Sequence, residues 1–470
     1  MEVAAEPLSP HSESSRPDGA APMTIIVPFA AVQYDPIKVG GLEHVLTQPY
    51  DKINPELQGD YFARSPYNLA RIIRGETNAG DTPADNVYTR AAARFRDWQQ
   101  QGVLFARAKP ALYAYYQEFQ VPGDPHGRRL VRKGFIGAGK LEEYSAGIIF
   151  RHEQTLSGPK ADRLDLLRAT RAHFGQIFML YSDPECRVDS LLDRAAAAPP
   201  NARITDDYGT VHSLWEIEDP SQIQAIQRYM SDRSLIIADG HHRYETALNF
   251  QRECRASRPH SGGEACSYVM MTFINLDAEG IAILPTHRLV AGVPEFSRAS
   301  FLSRAARYFT GTEYAYSSPA ERAVAAQRLR DDMDAASKGG ATAIGAIFHW
   351  HDAFYLLQLR EAAKQEATLQ ELSAAERSLD VNILHRLAFG LCLGMDEESV
   401  RKEKFLTYVR DFEEGTQSVL AGKSQACFFL NPVRIQQVKE IALDGRFLPQ
   451  KSTDFYPKLL SGLTMYRVVD

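Results

Sequence analysis

Residues 234–248 read SLIIADGHHRYETAL. A short apolar run meets a glycine and is followed at once by helical spacing, so the chain here must leave a buried strand and enter a helix within two residues. A strand ending at Ala238 delivers Asp239 and Gly240 to the sheet edge, and the next backbone N–H groups open the helix. Those first N–H groups lack helical acceptors and carry partial positive charge, which favours an anion and above all a phosphate. Gly240 permits positive φ or close backbone approach. Arg243 can fork two hydrogen bonds onto phosphate or carboxylate oxygens. His241 and His242 can donate to phosphate, shuttle protons or bind metal. Asp239 can hold a metal ion or take a proton from a hydroxyl nucleophile. The plainer alternative makes Asp239 a helix cap and the histidines surface groups. Five such residues in succession at one strand-to-helix turn favour a site.

The rest of the chain sets that turn in a mixed α/β background. VYTRAAARFRDWQQQG predicts a helix with Tyr88, Ala91, Ala92, Phe95 and Trp98 on one face, stopped by Gly102. ALYAYYQEFQV and RRLVRKGFIGAGKL read as a β-hairpin across PGDPHG. MTIIVPFAAVQYD (23–35) reads as an opening strand and turn, DRLDLLRATRAHF (162–174) as a helix, and QIFMLYSD (176–183), ACSYVMMTFINL and IAILPTHRLV as strands. Near residue 290 the character changes to long polar helices, a strand pair across HD at 351–352, and a helix at LDVNILHRLAF. The antiparallel hairpins favour an α+β fold over a doubly wound sheet. The expected division is a disordered Pro/Ser/Ala-rich tail over 1–22, with Met23 an alternative start, a first domain over 23–290 and a second α/β domain over 291–470.

Composition narrows the function classes. A net charge of −6 argues against a general nucleic-acid binder. The five cysteines form no CxxC pair, which suits free thiols in a reducing cytoplasm. No apolar run approaches a membrane span.

Two further clusters carry chemistry. In RHEQTLSGPKADRLDLLRA (151–169), His152 and Glu153 sit in a loop, and Lys160, Asp162 and Arg163 introduce the helix. Glu153 is a candidate general base and Lys160 a phosphate contact; the bland alternative is a solvated loop with Asp162 as helix cap. A zinc-protease reading fails because Leu156 stands where the second histidine of HExxH belongs. LPTHRLV places His287 and Arg288 inside a strand-like run. AGKS (421–424) is not a P-loop, since an apolar strand follows where a helix is needed, and GAGK (137–140) lacks the rest of a dinucleotide fingerprint.

ADGHHRYETAL resembles the phosphate-binding signature of the ParB/sulfiredoxin-like superfamily. Together with VPFAAVQYD, PYDKI, SPYNLARII, HEQTLSGPKADRLDLLRATRA, LPTHRLV and LPQKSTDFYPKLLSGL, it resembles one widespread prokaryotic family of unassigned function over about residues 26–466. Through the DGHHR turn that family is similar to free-serine kinases of the SerK type. The resemblance implies a ParB/sulfiredoxin-like core and phosphoryl transfer between a small hydroxy amino acid, L-serine or O-phosphoserine, and a nucleotide or water. It admits a kinase using ADP or ATP with Mg²⁺, or a phosphoserine phosphatase. It makes Asp239, His241 and His242 catalytic, Gly240 and Arg243 phosphate-binding, and Glu153 the match for the kinases' glutamate base. From the residues themselves, His152, Lys160, Arg163, His287 and Arg288 are candidate further substrate or phosphate contacts, and Asp239 the candidate metal ligand. The rival is a non-catalytic ParB-like nucleotide or phosphometabolite sensor. The expected partners are a small amino acid and a nucleotide, with no membrane.

Overall fold

The computed structural model describes residues 23–124, 127–153, 158–257 and 265–468; the tail over 1–22 lies outside the described residues, as do the side chains of 158–160. The strands of the two main sheets, and the short pair that joins them, are numbered here in chain order. The first sheet is mixed: β1 (Ile26–Val27), β2 (Leu112–Gln120), β3 (Arg129–Lys140), β4 (Ile149–Arg151), β5 (Ile177–Tyr181), β6 (Ala202–Thr205), β7 (Val211–Ile217), β8 (Leu235–Asp239) and β9 (Tyr268–Asn275). Its order is β4-β8-β5-β9-β3-β2-β7-β6, with β1 added against β3. The β8–β4 and β9–β5 pairs are parallel and the others antiparallel, so the fold is α+β, as the hairpins predict. The aromatic run of β2 pairs with β3 from Tyr113–Ile136 to Gln120–Arg129.

Helix α1 (Val87–Gln100) buries Ala91, Ala92, Phe95 and Trp98, the face that the spacing predicts, and Gly102 behind it takes φ +68°. Helix α2 (Gly158–Thr170) begins before Asp162. Asp162 is therefore no N-cap; it lies inside the helix, accepting from Arg163 and from the Tyr88 hydroxyl. Helix α3 (His241–Ser257) follows β8 and packs against α2.

IAILPTHRLV is two strands. Pro285 has no N–H to give a ladder, and on either side of it β10 (Ala282–Leu284) and β11 (His287–Val290) join different sheets. Strand β11 enters the second sheet beside β12 (Phe309–Ala315), β13 (Ala343–Phe348), β14 (Ala353–Leu359), β15 (Leu406–Val409) and β16 (Ala426–Phe429), in the order β12-β14-β13-β16-β11-β15, all antiparallel. LDVNILHRLAF starts as an α-turn at Asp380–Ile383 and continues as a π-helix over Leu384–Cys392.

The chain then packs back against the first sheet. Strand β17 (Asp454–Tyr456) pairs with β10, and Met465 exchanges backbone hydrogen bonds with Val32, both 2.9 Å. Arg132, 1% exposed, donates to the carbonyls of Tyr456 and Pro457, and Gln117 donates to that of Lys458. One cluster of buried apolar side chains runs from Val32, Phe178 and Ile236 through Phe348 and Phe428 to Phe455 and Met465.

Candidate active site

Strand β8 ends at Asp239, and the chain turns into α3 through Gly240 at φ +96°. A Cβ at residue 240 would stand 3.1 Å from the Arg243 guanidinium, so the positive φ favours glycine and a side chain there would press on Arg243. Arg243 donates to the Gln176 carbonyl and lies 3.7 Å from the Asp239 carboxylate. The strand-to-helix turn lies where the sequence reading puts it, with the strand one residue longer, to Asp239 rather than Ala238, and Gly240 and Arg243 act on each other.

Asp239 sits among cations. Lys458 Nζ is 3.4 Å from one carboxylate oxygen, and Lys458 also reaches Asp454 at 3.1 Å. Burial would push the Asp239 carboxyl up, but Lys458, then Arg243, Lys52 and His241 outweigh it and hold it well below the usual carboxylate range. Although burial works against its charge, Asp239 and Asp454 hold Lys458 above its ordinary value. Lys52 is pushed down by burial and by Lys458 and Arg410. Asp239 and Asp454 both stand against Lys458, and among the described residues no three His, Cys, Asp or Glu side chains gather as a metal set. The cation excess instead fits an oxyanion.

The histidines come from two segments. His152 is fully buried, with Nδ1 on the Ile237 carbonyl at 2.7 Å and Nε2 on Thr453 Oγ1 at 2.8 Å. Its ring meets that of His241 edge to face at 4.8 Å. His241, 6% exposed, opens α3, and its Nε2 has no hydrogen-bond partner among the described residues. Burial, joined by the neighbouring His152, holds His241 well below the ordinary imidazole value, so it is neutral at pH 7. His242 is half-buried in the first turn of α3. Glu153, half-buried beside His152, accepts the Lys451 N–H at 2.9 Å.

The remaining candidates separate. Arg163 holds Asp162 and the Ile73 carbonyl and stacks on Tyr50 at 4.2 Å; it shares a small cleft with Arg243, His173 and Gly175. The Lys160 side chain lies outside the described residues. His287 and Arg288 belong to the second sheet: His287 accepts from Leu430 N and packs on Phe429, and Arg288 donates to the carbonyls of Thr286 and Lys451. Neither joins the Asp239 cluster. The residues that single-motif reasoning misses are Lys52, Arg132, Asp454 and Lys458. Two of the stretches noted above for their family resemblance, PYDKI and LPQKSTDFYPKLLSGL, contain all of these but Arg132.

A family model described as a protein of unknown function, DUF1015, matches residues 26–382. No curated protein matches the chain. Among solved structures, a conserved hypothetical protein from Pyrococcus furiosus is 11% identical over 67% of this chain and 92% of its own, with a TM-score of 0.32. A free serine kinase in complex with AMP is 11% identical over 67% of this chain and 89% of its own, at 0.33. SbnI with a C-terminal truncation, from Staphylococcus aureus, is 10% identical over 70% and 87%, at 0.32.

Proposed function

This chain belongs to the DUF1015 family, and because that family is described as one of unknown function, we propose its function from the site's own chemistry. The protein binds a phosphate-bearing small molecule at the start of α3 and transfers a phosphoryl group to or from a small hydroxy amino acid, L-serine or O-phosphoserine. The observation that carries this reading is the convergence of Lys458, Arg243 and Lys52 on Asp239 at a helix N-terminus. Phosphoryl transfer asks a protein chiefly for positioning and for cations on the phosphate oxygens. Lys458, Arg243 and the first-turn amides of α3 supply those cations and donors. Asp239, held ionised, orients Lys458 and Arg243 toward the anion. The neutral His241 offers its open Nε2 to a phosphate oxygen or a hydroxyl. In the forward direction the serine hydroxyl oxygen forms a bond to phosphorus while the bond to the ADP or ATP leaving oxygen breaks. The hydroxyl proton passes to Glu153. With water as acceptor, O-phosphoserine yields serine and phosphate. The turn's likeness to ParB/sulfiredoxin-like proteins and to free-serine kinases supports the same reading.

Binding without turnover, a phosphometabolite sensor, is the second reading. It is favoured by Glu153, whose carboxylate already accepts a backbone N–H of the Lys451 segment.

Phosphorus NMR on the full chain tests both, with L-serine plus ADP or ATP, and O-phosphoserine alone or with AMP, each with and without Mg²⁺. Turnover is expected in at least one mixture. Arg243→Lys and Lys458→Met should each weaken O-phosphoserine about tenfold or more, since a lost charge-assisted hydrogen bond is worth roughly 1.5–3 kcal/mol. Binding with no turnover in any mixture leaves the sensor; neither binding nor turnover overturns both.

A further inference from the structure

The second sheet and the helices over it enclose a cavity of about 580 Å³, within the range that holds small organic ligands. We propose that it is a separate binding site for a small organic oxyanion, a carboxylate or phosphate monoester bearing an apolar group. Arg288 lines it and is 1% exposed. Two of its nitrogens donate to the carbonyls of Thr286 and Lys451, yet its Nε has no hydrogen-bond partner, and no carboxylate lies within ion-pair distance of it among the described residues. A buried guanidinium without a counter-charge is costly to keep unless an anion joins it. Burial pushes the Arg288 guanidinium down to about 10, as an uncompensated charge requires. Arg377 and Arg434 also line the cavity. Asp380, also in the lining, is pushed up by burial to about 7 and so can present an O–H to an oxyanion. Leu369, Leu379, Val381 and Ile383 form the apolar side.

The cavity reaches toward the first site without sharing it. Ser452 lines it, the Lys451 carbonyl holds Arg288, and the Lys451 N–H is held by Glu153, while Thr453 holds His152. An anion that draws Arg288 off the Lys451 carbonyl would therefore be felt at His152.

Calorimetry with phenyl phosphate and benzoate on the full-length Lys458→Met protein tests the proposal, because that variant removes the cation nearest Asp239 from the other site. One stoichiometric site is expected for at least one probe at millimolar concentration or below. Ala374→Trp, which plugs the rim from an exposed helix position, should weaken it at least tenfold. Arg288→Lys should do the same; if that variant fails to fold, Ala374→Trp decides alone. The better probe identifies phosphate or carboxylate as the natural head group. Absence of binding by both probes, or equal binding in Ala374→Trp, overturns the proposal. Either result is independent of turnover at the Asp239 site.

Discussion

Gly240 shows how one residue sets two features of the site. Its φ of +96° lies where an L side chain is strained, and its missing Cβ leaves the space that the Arg243 guanidinium fills. Gly240→Ala should therefore cost about 1–3 kcal/mol in denaturant unfolding. Arg243 must also give way by a few tenths of an ångström, so O-phosphoserine affinity should fall by more than the stability loss explains. Affinity unchanged at full folding would separate Arg243 from the anion. The turn was legible in the sequence because strand, glycine and helix are consecutive. Lys458 was not, because nothing local ties residue 458 to residue 239; long-range contacts, the pairing of β17 with β10 and the Arg132 and Gln117 hydrogen bonds to the 456–458 carbonyls, bring it there.

The same contrast runs through the elements. Helix α1 is written plainly in its spacing, since Ala91, Phe95 and Trp98 fall on one face and a glycine ends it. The β2–β3 hairpin is equally plain. IAILPTHRLV misleads because both halves are apolar and only Pro285 marks the change of sheet. Asp162 misleads because α2 starts five residues earlier than its capping chemistry suggests, at Gly158. Helix α3 is fixed in place by Tyr244, whose hydroxyl accepts from Glu142 N–H at 3.0 Å and donates to the Glu142 carbonyl at 2.6 Å. Tyr244→Phe leaves both backbone groups without that partner and should cost about 1–3 kcal/mol. Hydrogen exchange in the first turn of α3 should quicken more than in α1; equal change in both helices would mean that Tyr244 serves only global stability.

At the scale of the whole molecule, burial depresses six histidines among the described residues: His152, His173 (to about 4), His212, His241, His287 and His385 (the last two to about 3). A folded-state value below the unfolded one of about 6.5 means that the unfolded chain binds more protons. Stability is then full above pH 6.5 and is lost as pH falls toward the folded values. Asp380, raised to about 7 by burial, and Asp189, also raised by burial, work in the other direction, favouring the fold as pH falls toward their unfolded values, but they are two groups against six. The melting temperature should drop by ~5 °C or more between pH 7 and pH 5, and a calorimetric scan showing it flat or rising would contradict the buried, neutral histidines.

The packing of residues 453–468 back against the first sheet has a consequence for how the protein is made. A ribosome lays down Lys52, Arg132, His152, Asp239 and Arg243 long before it reaches Lys458. Until that segment leaves the exit tunnel, the Arg132 guanidinium has no Tyr456 or Pro457 carbonyl to hold, Phe178 lacks Phe455, and Val32 lacks Met465. A nascent or prematurely terminated chain thus displays sticky surface that chaperones and proteases recognise. Quality control and site assembly are coupled: the piece that seals the first sheet is the piece that brings Lys458 to Asp239.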